Sequence, residues 1–269
     1  MKDIVPGGWR LGGTASYAAL QAARLGLRAA VVTAAARDLD LRALTAEAEV
    51  HSAHSEHSTT FENTYGPQGR TQYLRDRARP LTLDDVPVEW RDAPIVLLGP
   101  VCGEVPPETG SLFSKALVGV SAQGWLRSVG ADQRVRPCPW PESRYWGTYR
   151  ALFVSEEDLG DGNALLESWT ASIDVVALTR AGRGASLHHG GAWRRIEAFP
   201  EREIDPTGAG DVFAAAFLAF LAETGDVAGS ARFGSAAASI SVGAEGTTGI
   251  PTRALVEARL ARHPEVVLR

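Results

Sequence analysis

Lysine is nearly missing from this sequence. Of 27 Lys and Arg side chains only Lys2 and Lys115 are lysines, and neither completes a G-x-x-x-x-G-K-[ST] run, which excludes a P-loop nucleotide site. Cysteine is equally scarce: Cys102 and Cys138 are two isolated thiols without C-x-x-C spacing, so the sequence specifies neither a disulfide framework nor a zinc site. No apolar run reaches the roughly 18–20 residues of a membrane span. The first residues, M-K-D-I-V-P-G-G-W-R, lack the apolar core of a signal peptide. Net charge is −5 with both signs interspersed, and there is no basic tract for nucleic acid or an anionic membrane. Internal repeats and low-complexity tracts are absent. What remains reads as a cytoplasmic chain of 269 residues, 45% hydrophobic and 22% charged, of a size for one α/β domain over residues 1–269.

The most informative stretch is I-D-P-T-G-A-G-D-V-F-A-A-A-F-L-A-F-L-A-E, residues 204–223. From Val212 onward it is apolar and Ala-rich, with neither Pro nor Gly, and predicts a buried helix. Ahead of it, T-G-A-G-D is a turn of small residues. Glycines let backbone N–H groups come close to a ligand. The first N–H groups of a helix have no internal partner and carry partial positive charge, so such a turn suits an anion. Asp211 fits two roles: capping the helix, or, beside a phosphate, accepting a proton from an attacking hydroxyl. Spacing alone leaves both open.

In chain order, T-A-S-Y-A-A-L-Q-A-A-R-L-G predicts a helix ended by Gly26, and A-A-V-V-T a buried strand after it. His51, His54 and His57 recur every third residue, but their surroundings are polar, so they read as a solvated loop or edge. S-T-T-F-E-N-T-Y, G-P-Q-G and R-T-Q-Y-L-R predict a hairpin over about residues 58–75, serving as a lid flap or an extra sheet edge. P-I-V-L-L-G-P and A-L-V-G-V-S-A-Q-G-W-L-R predict buried strands. The loop after the second carries Gln123 and Arg127, and ligands of open α/β sheets sit outside the carboxyl ends of strands. Trp140 and Trp146, in a Pro-rich stretch, read as packing residues. A-L-F-V-S-E-E-D-L predicts a strand running into an acidic turn, and V-V-A-L-T-R-A-G-R-G-A-S-L-H-H two strands about a glycine turn. R-E-I-D-P-T reads as an anchor strand ahead of the small-residue turn. A-R-F-G-S-A-A-A-S-I-S predicts a closely packed helix followed by a Gly-rich loop, and P-T-R-A-L-V-E-A-R-L a final amphipathic helix.

D-P-T-G-A-G-D-V-F with its Ala-rich helix resembles the second signature of the PfkB (ribokinase-like) carbohydrate kinases. L-G-G-T-A-S-Y-A-A-L-Q-A-A-R-L-G resembles the first. The resemblance implies a three-layer α/β/α fold with a central, mostly parallel sheet and a reduced lid. It assigns Gly208, Ala209 and Gly210 to an anion hole and Asp211 to the catalytic base. Gly12 and Gly13 would let substrate approach the backbone. Tyr17 stands where relatives carry Asn, and Asp3 where an Asp holds substrate hydroxyls. The strand that precedes that Asp in the family is missing here, and the lid insertion is nearly absent. Gln123 would meet substrate.

By the same resemblance, the N-x-x-E motif that organises Mg²⁺ becomes Ser155 and Asp158. Thr179, Gly182 and Gly184 run along the nucleotide, with Ala181 at a position usually Gly. Ser235 and Gly246 would wrap the base, and Asp205 and Thr207 would neighbour a monovalent cation such as K⁺. The implied reaction is ATP-dependent phosphorylation of a hydroxyl on a small sugar, polyol or nucleoside by a monomer or homodimer. The alternative is a nucleotide-binding protein of the same fold without turnover.

Overall fold

The structure is a computed structural model and describes residues 1–66, 69–140, 144–160 and 162–269. Its strands in chain order are β1 (Lys2–Val5), β2 (Gly8–Leu11), β3 (Ala30–Ala35), β4 (Glu49–His54), β5 (Thr60–Gly66), β6 (Gly69–Asp76), β7 (Ile95–Leu98), β8 (Leu117–Ser121), β9 (Arg127–Val129), β10 (Val135–Pro137), β11 (Ala151–Ser155), β12 (Val175–Thr179), β13 (Ala185–His189) and β14 (Ala192–Ile196). Its helices are α1 (Thr14–Arg24), α2 (Arg42–Thr45), α3 (Glu156–Leu159), α4 (Asn163–Ser172), α5 (Ala209–Thr224), α6 (Val227–Ser241) and α7 (Arg253–Arg262). The main sheet has the order β14-β13-β12-β11-β8-β7, parallel from β12 to β7 and antiparallel at β13 and β14. β3 and β4 pair in parallel as a separate two-stranded sheet.

β11 and β12 read A-L-F-V-S and V-V-A-L-T, apolar at nearly every position, as strands covered on both faces do. Successive side chains alternate between faces. Ala151, Phe153, Val175 and Ala177 pack with Leu20 of α1, Phe213 and Phe217 of α5 and Phe233 of α6. Leu152, Val154, Val176 and Leu178 instead join Trp125, Trp140, Trp146 and Trp169. Two helical or loop layers thus sandwich one sheet, the expected α/β/α arrangement. Trp140 and Trp146 are packing residues, with the Trp140 ring 4.5 Å from that of Trp125. α5 is buried over most of its surface, as its composition predicts, because it lies between the sheet, α1 and α6.

The lid is a sheet of order β2-β1-β5-β6. Only a hairpin turn separates Asp3 from the Gly12–Gly13 pair, so the insertion is short, yet β1 pairs with β5 and anchors this hairpin in a four-stranded layer. The predicted β5–β6 hairpin is present, and Pro67 and Gln68 of its turn lie outside the described residues. His51 and His54 sit exposed on β4 and His57 just beyond it. No group of His, Cys, Asp or Glu suited to a metal occurs among the described residues. No described helix is long and apolar enough to cross a membrane. One expectation fails: R-E-I-D-P-T is not a strand. Pro206 has no N–H for a ladder, and the N–H groups of Ile204 and Asp205 both donate to the Val242 carbonyl.

Candidate active site

A cleft of about 400 Å³ opens where the lid, the carboxyl ends of β8, β11 and β12, and the start of α5 converge. This is the end of the sheet where a parallel α/β fold places ligands. Asp3, Tyr17, Asn63, Gln72 and Gln123 line it toward the lid. Thr179, Gly182, Gly184 and Ser235 line it toward β12 and α6, and Thr207 to Asp211 lie between. One cavity therefore gathers nearly all the sequence-assigned residues. Asp205, Gly246 and Gly12 do not line it.

Gly208 caps α5 in the left-handed region, φ +77°, where a side chain is strained. A Cβ there would also run into the Tyr17 ring. Tyr17 is 1% exposed and packs over this turn, and its hydroxyl finds no partner among the described residues. The expected substrate contact at this position has become a wall that shapes the turn. The N–H groups of Gly208, Gly210 and Asp211 have no acceptor among the described residues, whereas that of Ala209 donates to the Pro206 carbonyl at 3.2 Å. Two of the three amides assigned to the anion hole, with that of the adjacent Asp211, are thus open to a ligand, at the positive end of a 16-residue helix.

Asp211 is half-buried in the first turn of α5 and faces this cleft. Desolvation pushes its carboxyl up to about 6, while a hydrogen bond from the Thr14 hydroxyl and the charge of Arg127 pull the other way. Asp158 and Asp3 add a further upward push. A carboxylate held near 6 suits a general base at neutral pH. Gly12 serves close approach: a Cβ there would collide with the Asp3 carboxylate.

Asp158 follows the N-cap Ser155, whose Oγ accepts from the Asp158 N–H (3.0 Å) and donates to Oδ2 (2.5 Å). Gln123 Nε2 donates to the same Oδ2 (3.1 Å), and Arg127 pairs with Oδ1 (3.1 Å). Gln123, assigned to substrate, therefore orients Asp158. Arg127 joins this network and lines the cleft as a basic residue. With its carboxylate fixed at the cleft wall, Asp158 fits Mg²⁺ held through water, since Mg²⁺ retains waters and takes few protein ligands.

Asp205 does not fit a monovalent cation. Arg10 Nη1 lies 2.7 Å from its Oδ2, and Arg10 Nη2 donates to Thr207 Oγ1 at 3.3 Å. The Gly246 N–H donates to Asp205 Oδ2 (2.9 Å) and the Thr207 N–H to Oδ1 (3.0 Å). Against desolvation, these hydrogen bonds and the guanidinium hold the Asp205 carboxyl below its usual range. Gly246, expected along the base, thus braces Asp205 behind the cleft. Ala181, where Gly is usual, has φ +48° and shows why.

Residues 151–253 match the model of the pfkB family of carbohydrate kinases. The chain is 42% identical over 87 residues to the ribokinase of Bacillus subtilis, 31% of this chain and 29% of that protein. It is 38% identical over 71 residues to the cytidine kinase of Thermococcus kodakarensis, 25% of this chain and 24% of that protein. In sequence the chain spans less than a third of the length of these relatives. The fold match is much wider. A pyrophosphate-dependent kinase of the ribokinase family, solved with a pyrophosphate analog and myo-inositol, superposes with TM-score 0.78 at 22% identity, covering 96% of each chain. The ribokinase of Thermotoga maritima superposes with TM-score 0.73 at 21% identity, over 97% of this chain and 96% of that one. The fold is ribokinase-like. The segment over residues 151–253, which holds both the β11–β14 strands and the α5 turn, carries the PfkB-family sequence.

Proposed function

We propose that this protein transfers a phosphoryl group from ATP to a hydroxyl of a small sugar, polyol or nucleoside. The observation that carries this reading is the pairing, on one cleft floor, of unpartnered amides at the start of α5 with a carboxylate held near 6. Phosphoryl transfer needs positioning and charge stabilisation more than covalent chemistry. The amides of Gly208, Gly210 and Asp211 cup the migrating group as its negative charge spreads. Asp211 takes the acceptor's proton. Asp3, Asn63 and Gln72, on the lid side, supply polar groups to an acceptor. Thr179, Gly182, Gly184 and Ser235 border the donor. Asp158 would hold Mg²⁺ through water, and the ion would supply charge neutralisation at the donor phosphates.

The fold's likeness to a pyrophosphate-dependent kinase raises pyrophosphate as a second donor reading. Glu201 and Ser239, both lining the cleft, are joined by Arg259, with Arg259 to Glu201 at 2.6 Å and to Ser239 at 3.2 Å. Glu201 also packs on Gly243, where a Cβ would lie 3.3 Å from its Cδ. This clamp stands one helical turn beyond Ser235 on α6, at the end of the cleft assigned to the donor. ATP and pyrophosphate, each with Mg²⁺, tested against a panel of sugars, polyols and nucleosides, decide between them by phosphorylated product. Binding of ATP without product from any acceptor would favour the non-catalytic alternative.

A further inference from the structure

Asn63 of β5 and Gln72 of β6 are cross-strand partners in the lid sheet, half-buried, and both line the cleft. Gln72 Nε2 donates to Asn63 Oδ1 at 3.1 Å. Among the described residues neither side chain makes another hydrogen bond, so the Asn63 N–H groups and the Gln72 carbonyl remain for a ligand. Exchanging N and O in both amides leaves the same complement, one NH₂ and one carbonyl. Glu62, next along β5, points to the opposite face and pairs there with Arg75 at 2.6 Å. The lid thus turns charge outward here and uncharged amides toward the cleft. Arg127 is the one basic side chain among the described lining residues, and Asp158 already takes its charge at 3.1 Å. A phosphate or carboxylate on the acceptor would enter beside the carboxyl groups of Asp3 and Asp211 with no unpaired guanidinium or ammonium side chain to meet it. Tyr17 and Phe61, the aromatic residues on this side, are 1% and 0% exposed, so neither offers a ring face to a nucleobase.

We propose that the acceptor is an uncharged ring carrying several hydroxyls, a sugar or a cyclic polyol, and that Asn63 and Gln72 together bind two adjacent hydroxyls of it. The inference rests on the phosphoryl-transfer reading above and narrows it. Each hydroxyl donates once and accepts, so two neighbouring hydroxyls match an amide NH₂ set beside an amide carbonyl. A further hydroxyl lies at Asp211, where its proton is taken. Because the amides are tied to each other across two paired strands, they are held ready before the acceptor arrives. A half-buried polar pair of this kind rejects an analogue that lacks one hydroxyl, since an amide group is then left unpaired. Phosphorylated sugars are excluded by charge, and nucleosides by the want of a surface for the base.

The test measures kcat and KM for neutral sugars, cyclic polyols, their phosphates and nucleosides with the wild type, Asn63→Leu and Gln72→Leu, with melting curves as the control for folding. The wild type should phosphorylate a neutral sugar or cyclic polyol and neither a sugar phosphate nor a nucleoside. Each Leu variant should raise the KM of that acceptor by about 10–100-fold and leave kcat and the donor KM nearly unchanged. A monodeoxy acceptor lacking one of the two adjacent hydroxyls should lose a similar factor with the wild type and little more with the variants, a coupling that a merely structural role would not produce. Gln72→Arg, which keeps a donor for Asn63 Oδ1, should admit the phosphorylated form of the acceptor. If the Leu variants do not fold, the deoxy series with the wild type and Gln72→Arg decides alone. Turnover of an anionic acceptor or a nucleoside by the wild type, or an acceptor KM indifferent to both substitutions, overturns this inference and leaves the phosphoryl-transfer reading standing. If no acceptor is phosphorylated, that reading fails, and calorimetry with the same neutral acceptors decides this one: binding lost in both Leu variants sustains it, and no binding overturns it.

Discussion

Arg10 Nη1 stands 2.7 Å from Asp205 Oδ2, joining lid strand β2 to the turn that opens α5. The pair is mostly buried, with side-chain exposures of 33% and 10%. A guanidinium thus occupies ground that the family resemblance allots to a mobile cation, and the charge is carried by the lid itself.

The first prediction follows from that pair. Activity should not depend on K⁺ at constant ionic strength. Arg10→Ala should lower stability on the order of 2 kcal/mol, because Asp205 is left without its counter-charge. Arg10→Lys should restore part of the loss but not the two-point contact with Asp205 and Thr207. Chemical denaturation of the three proteins, with assays in Na⁺ and K⁺ salts, checks both parts. Wild-type activity strongly activated by K⁺ would show that Arg10 does not serve this charge.

Asp211 gives the second. Asp211→Asn should cut turnover by at least about 10²–10⁴-fold. It should at the same time stabilise the fold on the order of 1–2 kcal/mol at pH 8, because a desolvated charge is removed. The sign follows from the raised pKa: the folded protein holds this proton more tightly than the unfolded chain, so stability is lost as pH rises from about 4 to about 6. The stabilising effect of the Asn variant should therefore shrink toward pH 4. Melting curves at pH 4 to 8 measure it.

The pH dependence of turnover is the third. With Asp211 held near 6, the rate should fall on the acid side with an apparent pKa of about 6. Arg127 pulls that value down. Arg127→Met should move the acid limb to higher pH, and a limb that stays in place would remove Arg127 from the account.

Two glycines of the same turn should behave oppositely. Gly208→Ala meets both a positive φ and the Tyr17 ring and should destabilise by about 2 kcal/mol or more. A Cβ on Gly210 meets nothing within 4 Å. Gly210→Ala should leave the melting temperature unchanged and still lower activity, since its methyl crowds the amides that receive the phosphoryl group.

Much of this was legible in the sequence. The apolar run after Val212, the continuous apolar strands β11 and β12, and the Gly–Ala–Gly turn are local patterns whose physics is local. So was the short lid insertion, since only eight residues separate Asp3 from Gly12. Contacts between distant segments were not. Nothing near Arg10 points to Asp205, 195 positions further on, and nothing near Thr14 to Asp211. Arg127 and Gln123 were readable as cleft residues, but their shared partner Asp158 was not. R-E-I-D-P-T misled because the N–H groups of Ile204 and Asp205 share the single Val242 carbonyl instead of forming a ladder.

The central claim is best tested by one assay: product formation from ATP or pyrophosphate with Mg²⁺ across sugars, polyols and nucleosides, run with the wild-type protein and Asp211→Asn in parallel. The account predicts that at least one acceptor is phosphorylated by the wild type and that the variant, folded and still binding donor, is slower by about 10² or more. Equal rates from the two proteins on that acceptor would contradict it.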